Sequence, residues 1–315
     1  MPRVERQGRA RVTNTVRAIV ATVVCVIFLI PVIWMGLSAL KPRAEIVTVP
    51  PKVFFQPSLD GFVGLFTQRV TIKKNELEEF QERTDLNLFE RISLERGMKI
   101  VGPSQFVGRL QNSIIISAGS TFLALILSFL AAYAFSRFRF RGHGDLSFYI
   151  LSTRMMPPVV VTIPIFLMYR WARLFDTHLG MILLYTMFNL SLATWLLMGF
   201  LDEIPREYEE AAMVDGYSRW RALLQLVLPQ AWTGIATTAV FCLIFTWNDY
   251  AFGLMLTAER ARTAPVSLPG MISASVREWG STTAGTLLFL FPVAIVAFAV
   301  RRYLIRGITF GAIRK

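Results

Sequence analysis

Apolar runs recur along the chain at residues 18–40, 112–135, 146–169, 180–201, 232–256 and 284–300. Each comes close to the roughly 20 apolar residues that a helix needs to cross a bilayer. Polar stretches separate them, so the pattern predicts an all-α integral membrane protein with six transmembrane helices. Four of the runs carry no charge; the third holds Arg154 and the fifth holds Asp249.

The first run follows a tail, residues 1–17, in which five arginines stand against one acid, Glu5. A cleavable signal peptide starts the same way, but its apolar region is only about 7–15 residues long, so residues 18–40 read as an uncleaved first span. From 41 to 111 the chain turns polar, with Pro50, Pro51 and Pro57 and then a charged block, Lys73 to Arg96. Leu77, Phe80, Leu88 and Ile92 make an imperfect helical stripe there, which predicts one or two short helices in an extracytoplasmic loop. That loop is either a solvated cap or a contact for another protein.

Between the fourth and fifth runs, residues 202–229 read DEIPREYEEAAMVDGYSRWRALLQLVLP. Pro205 suits a first helical turn, Glu207, Glu209 and Glu210 follow where a helix N-terminus favours negative charge, and Gly216 supplies a stop. Ser218 can then cap a second helix, amphipathic and lying along the membrane surface, with Trp220, Leu223, Leu224 and Val227 on one face until Pro229 ends it. The adjacent Ala211 and Ala212 let a partner surface come close to the backbone. The acids can pair with basic groups there.

The series Glu210-Ala211-Ala212, three residues, Gly216, nine residues, Leu226, one residue, Leu228-Pro229 resembles the EAA loop of ABC-importer permeases at every fixed position. Asn112-Ser113, Ala131 to Ala134, Arg154-Met155-Met156-Pro157, Ile204-Pro205, Trp247-Asn248-Asp249 and the tail from Gly307 to Lys315 extend the likeness to the smaller permease of maltose-type carbohydrate importers. It covers about residues 16–64 and 104–315, and the stretch from about 67 to 101 stands out as an insertion.

The resemblance implies a type I ABC importer transmembrane fold, with residues 112–304 as its five-helix domain. It further implies that residues 202–229 dock into an ATPase subunit through Glu210, Ala211, Ala212, Asp215, Gly216, Leu228 and Pro229. The implied partners are a second permease subunit, two ATPase subunits and an extracytoplasmic sugar-binding protein, and the implied location is a bacterial inner membrane. Residues 305–315 would be a cytoplasmic tail reaching toward the ATPase dimer. The Arg154 run points to the polyol, trehalose or related glycoside branch. In this family the better-defined sugar contacts lie in the larger partner permease.

A net charge of +12 raises the question of nucleic acid. Lys and Arg are scattered between apolar spans rather than gathered in one stripe, so nucleic-acid binding is not indicated and the positive-inside effect explains them. Sixteen lie in residues 1–17, 136–145, 202–231 and 301–315, against five in the two short loops on the other side. The first outer loop exceeds about 60 residues, where that rule loses force. Both termini and the Glu210 loop are therefore expected in the cytoplasm.

Arg154 stands beside Pro157 and Pro158, which break a helix where protein or a water-filled cavity surrounds the break. A charge inside the membrane is a functional candidate by default. Asn189, Ser191 and Thr194 add hydrogen-bonding groups, and Tyr133, Trp195 and Trp247 add flat faces of the kind that stack on sugar rings. Arg154, Asn189, Trp247, Asn248 and Asp249 are thus the candidate substrate path, with Arg154 and Asn248 expected to face it. Counted along their spans at about 1.5 Å per residue, Arg154 and Asp249 fall at different depths, so no direct ion pair is expected.

No lysine follows a glycine, so the chain has no phosphate-binding loop and ATP hydrolysis must come from another chain. His143 and His178 have no nucleophile or ligand beside them, and Cys25 and Cys242 sit in apolar runs without metal-site spacing. The expectation is a transport subunit that is not itself an enzyme, with no metal and no cofactor. An ion-coupled secondary transporter would need inverted repeats and several intramembrane acids, whereas only Asp249 is present. A non-transporting scaffold, with 202–229 as an adaptor site, is the remaining alternative.

Overall fold

Apolar runs of this length fold as helices because lipid cannot satisfy backbone polar groups, and helices dominate the computed structural model, which describes residues 2–72, 85–269 and 278–310. Leu77 and Phe80 of the charged block, Arg277 and the tail from Gly311 to Lys315 lie outside the described residues. Two units can be separated: residues 1–104 with 271–288, and residues 105–270 with 289–315.

The first unit opens with α1, Pro2–Leu40, whose segment Asn14–Leu40 is long and apolar enough to cross a membrane. The helix starts well before the expected 18. Its side chains from Val16 to Ile33 are exposed except for half-buried Val32, as a surface meant for lipid or other subunits must be. After α2 (Arg43–Ile46) and α3 (Asp60–Phe66) come strand β1 (Thr67–Thr71), helix α4 (Leu88–Leu94) and strand β2 (Met98–Pro103).

The antiparallel pair β1–β2, with Thr71 opposite Met98, is a correction to the helices-only expectation for this loop. The β-branched Thr67, Val70 and Thr71 and Ile100 and Val101 carry it, hidden at the edges of the charged block. Of the one or two short helices expected from the charged block, α4 is present among the described residues and carries Leu88 and Ile92. Asn87 caps α4 by accepting from the Glu90 amide at 2.9 Å while Glu90 accepts from the Asn87 amide at 2.9 Å, a reciprocal capping box. Buried Arg69 joins Asp60 at 2.6 Å and Glu278 at 3.1 Å.

The second unit contains α5 (Phe106–Arg137), α6 (His143–Ser152) running into the 3-10 turn Thr153–Met155, α7 (Pro158–Trp171) and α8 (His178–Asp202). Then follow α9 (Glu207–Val214), α10 (Arg219–Ala222), α11 (Trp232–Trp247), α12 (Ala251–Leu256) and α13 (Ala264–Ser267). The helix α14, Trp279–Phe310, belongs to this unit from Phe289 onward.

Among the described residues four helices are long and apolar enough to span a membrane, and counting each of two bent pairs as one span raises the number to six. One pair breaks by 95° between Met155 and Val160, where Pro157 and Pro158 remove donors. The other bends by 72° where the segment ending at Gln230 meets α11. The fifth apolar run does not continue straight to Leu256; it breaks at residues 248–250, between α11 and α12.

α5 and α8 pack together because α5 turns a stripe of small residues inward. Ser113, Ser117, Ser120, Ala124, Ser128 and Ala132 are all buried, and small residues let transmembrane helices approach closely. A Cβ on Gly119 would stand 3.0 Å from the Ile182 side chain. Apolar clusters close both ends of the packing, one around Phe129, Leu197, Leu201, Leu223 and Val227, the other around Ile116, Met181, Leu184 and Phe252.

Candidate functional site

The acidic helix α9 begins at Glu207, just after Pro205, with Glu207, Glu209 and Glu210 in its first turn. It stops as a Schellman motif: the Gly216 amide donates to the Met213 carbonyl at 3.1 Å and the Tyr217 amide to the Ala212 carbonyl at 3.0 Å. Gly216 takes φ +87°, which a residue with a Cβ adopts only at a cost. Ser218 then caps α10 by accepting from the Arg221 amide at 3.3 Å.

The second helix departs from the simple stripe expected of it. Residues Leu223–Val227 form a π-helical turn, which lets Leu223 and Val227 reach the apolar cluster, with Ala222 buried beside them, while Trp220 and Leu224 stay exposed. Pro229 does not end the segment; it sits within the short turn Leu228–Gln230, which leads to the bend into α11.

Of the residues expected to meet an ATPase, Glu210, Ala211, Asp215, Gly216 and Pro229 are exposed and Leu228 is half-buried. Ala212 is the correction: it is 8% exposed and packs inward, so only Ala211 offers the close backbone approach. Val214 and Trp220, at 87% and 65% exposure, complete the outward surface.

Beneath that surface is a group that the sequence did not single out. Glu209 is buried, and Arg137 Nε donates to its Oε1 at 2.5 Å while Tyr133 donates its hydroxyl to Oε2 at 2.6 Å. Arg137 also donates to the carbonyl of Leu201 at 3.1 Å, to that of Ile204 at 3.0 Å and to the Ser136 hydroxyl at 2.9 Å. Ser136 in turn donates to Asp202 at 2.6 Å, and Arg206 donates to the Ser136 carbonyl. One guanidinium thus ties the end of α5 to the end of α8 and to α9. Tyr133, expected as a flat face for sugar, is instead a buried hydrogen-bond donor.

The second polar constellation lies where the third and fifth spans break. Arg154, on the 3-10 turn, donates to the Phe188 carbonyl at 2.8 Å and lies over the Phe245 ring at 4.3 Å. Asp249 Oδ2 accepts from the Tyr185 hydroxyl at 2.8 Å and from the amides of Phe252 and Gly253 at 3.1 and 3.3 Å, capping α12. Asn189 donates to Thr246 at 2.9 Å and to the Cys242 carbonyl at 3.3 Å. Arg154, Asn189, Asp249 and Tyr185 line a cleft of about 220 Å³ with Phe188 and Phe245. No ion pair joins Arg154 to Asp249 among the described residues.

Two of the expected path residues are not in that cleft. Trp247 is buried, stacks on Phe289 with ring centroids 4.9 Å apart and donates to the Phe289 carbonyl at 3.2 Å. Asn248 is exposed and donates to the Ile244 carbonyl of its own helix at 2.8 Å. Ser191 and Thr194 are buried, with Trp195 exposed beside them, away from the cleft lining. Tyr185, which the sequence reading passed over, is the cleft residue that an acid in the facing span would have pointed to.

Both histidines are loop and cap partners: His143 Nε2 meets the Phe135 carbonyl at 2.7 Å and His178 Nε2 meets Asn112 Oδ1 at 2.7 Å. Asp176, in the loop before α8, accepts from the amides of Ala258, Glu259, Arg260 and Ala261 at 2.9–3.1 Å. Partial burial alone raises its pKa, but the four N–H groups outweigh that and hold the carboxyl below its ordinary value.

Comparison with known proteins places this architecture. The chain is 32% identical to a trehalose transport system permease protein of Mycobacterium tuberculosis, covering 94% of this chain and 96% of that one. It is 28% identical to a probable ABC transporter permease protein of Sinorhizobium fredii, over 93% and 92%. Its fold matches a crystal structure of a bacterial ABC transporter involved in import of the acidic polysaccharide alginate, with a TM-score of 0.65 at 20% identity, covering 93% of this chain and 96% of that chain. Residues 107–310 match the family model described as binding-protein-dependent transport system inner membrane component, and the chain belongs to that family.

Proposed function

We propose that the chain is one of two permease subunits of an ATP-driven, binding-protein-dependent sugar importer in a bacterial cytoplasmic membrane. Both termini and residues 202–229 face the cytoplasm, where two copies of an ATPase engage them, and a sugar-binding protein delivers substrate from outside. The excess of basic residues on that side supports the orientation. A neutral glycoside such as trehalose is the proposed substrate class, in keeping with the relatives' names.

The observation that carries this reading is the construction of α9: a short acidic helix whose outward face is free and whose inward face is bolted to α5 and α8 through Glu209 and Arg137. A motor that pushes on Glu210, Ala211 and Val214 therefore pushes on two membrane helices without slack. The test is co-purification of the ATPase together with ATP-dependent sugar uptake. Glu210→Lys reverses the charge offered to the ATPase, and Gly216→Val forces a β-branched residue into φ +87°, at a cost of about 1–2 kcal/mol or more. Each is expected to lower ATPase recovery and uptake at least tenfold at normal membrane levels. Wild-type recovery and uptake in both variants would falsify the reading.

A further inference from the structure

The cleft between the broken third and fifth spans leaves a specific set of hydrogen-bonding groups unspent. Arg154 has five N–H donors, of which one Nη1 group is committed to Phe188. All three donors to Asp249 fall on Oδ2, and Oδ1 accepts nothing among the described residues. The Asn189 amide nitrogen must face Cys242, because that carbonyl can only accept, so Oδ1 is left as an acceptor.

One end of the cleft therefore donates from a cation, and the other accepts through a carboxylate and an amide oxygen. Phe188 and Phe245 form apolar walls between them. An anionic ligand would meet Asp249, a cationic one would meet Arg154, and an apolar one would leave all three groups unpaired in a low-dielectric site, which is expensive. A neutral ring bearing several hydroxyls satisfies both ends, because each hydroxyl donates once and accepts twice. The volume of about 220 Å³ is below the roughly 300–1,000 Å³ of pockets for larger ligands, which suits one sugar ring rather than two.

We propose that this subunit contributes a subsite for one uncharged sugar ring, with Arg154 donating to ring hydroxyls and Asp249 and Asn189 accepting from them. The proposal rests on the importer reading above, and the two fail differently. Cells carrying the complete transporter are assayed for uptake of labelled trehalose, maltose, sorbitol and galacturonate.

If the wild-type transporter takes up none of the four probes in an ATP-dependent way, the importer reading falls and the subsite with it. If it does, Arg154→Gln and Asp249→Asn are expected to raise the uptake KM at least tenfold while the complex co-purifies in wild-type amounts. Met156→Trp narrows the cleft from its rim, and because Met156 is half-exposed it leaves the packing intact. It is expected to block uptake, and it decides the matter should the other two fail to assemble. A KM within twofold of wild type in the assembled variants, or wild-type preference for galacturonate over the neutral probes, overturns the subsite alone.

Discussion

Two polar constellations lie in the same helical unit, and they are finished to different degrees. Around Arg137, Glu209 uses both carboxylate oxygens and the guanidinium reaches a carboxylate, a hydroxyl and two carbonyls. Around Arg154, among the described residues, one guanidinium N–H is used, one oxygen of Asp249 is idle and Asn189 Oδ1 is idle. A saturated buried network resists rearrangement, since every lost bond leaves an unpaired partner. An unsaturated one is an invitation to a ligand. On the proposed function, the difference separates a part that transmits force from a part that receives a ligand.

The sharpest way to break the comparison is to remove the cation from the saturated site. Arg137→Ala strands buried Glu209 and frees two helix-end carbonyls; breaking a buried pair in this way costs about 3–5 kcal/mol. The purified chain is expected to lose thermal stability strongly, and uptake should fall at least tenfold. Glu209→Gln, which keeps much of the hydrogen bonding, should lose less. Equal, small losses in both, read from thermal aggregation curves, would show that the network is not saturated in the way its distances indicate.

Much of this arrangement was legible beforehand, for identifiable reasons. Long apolar runs have one outcome in lipid, so the four long helices and the two bent pairs could be located, and Pro205, the acids and Gly216 mark α9 by local chemistry alone. The clamp was not legible because Glu209 and Glu210 are adjacent acids in one helical turn, and only the direction each faces separates a buried bolt from a surface contact. Tyr133 and Trp247 were misjudged for the same reason: an aromatic ring in a span can look into a cleft or into a neighbouring helix. The strands Thr67–Thr71 and Met98–Pro103 pair across 26 intervening residues, and a pairing that distant leaves no periodic trace in either segment.

A smaller effect is expected at Asp176, whose carboxylate is saturated like Glu209 but stands in an extramembrane loop. Its pKa is lowered on folding, so its contribution is complete above the ordinary carboxylate value and fades as pH falls below about 4. Asp176→Asn should destabilise the chain at neutral pH, and the gap from wild type should close as pH drops through that range. Thermal aggregation followed from pH 7 to pH 3 would show it, and a gap independent of pH would mean that the four amides do not depend on the charge.

The smallest effect belongs to Asn248, and it tests where the unsaturated site ends. The side chain is exposed, donates among the described residues only to the Ile244 carbonyl one turn back and stands outside the cleft that holds its neighbour Asp249. Removing a bond of that kind costs about 1 kcal/mol or less, and the freed carbonyl keeps the amide of Asn248 itself. Asn248→Ala should therefore leave uptake KM within twofold of wild type, while Asp249→Asn, one residue along, should not. Sensitivity at both positions would mean that the path for substrate runs along the exposed side of the break after Trp247 as well as through the cleft.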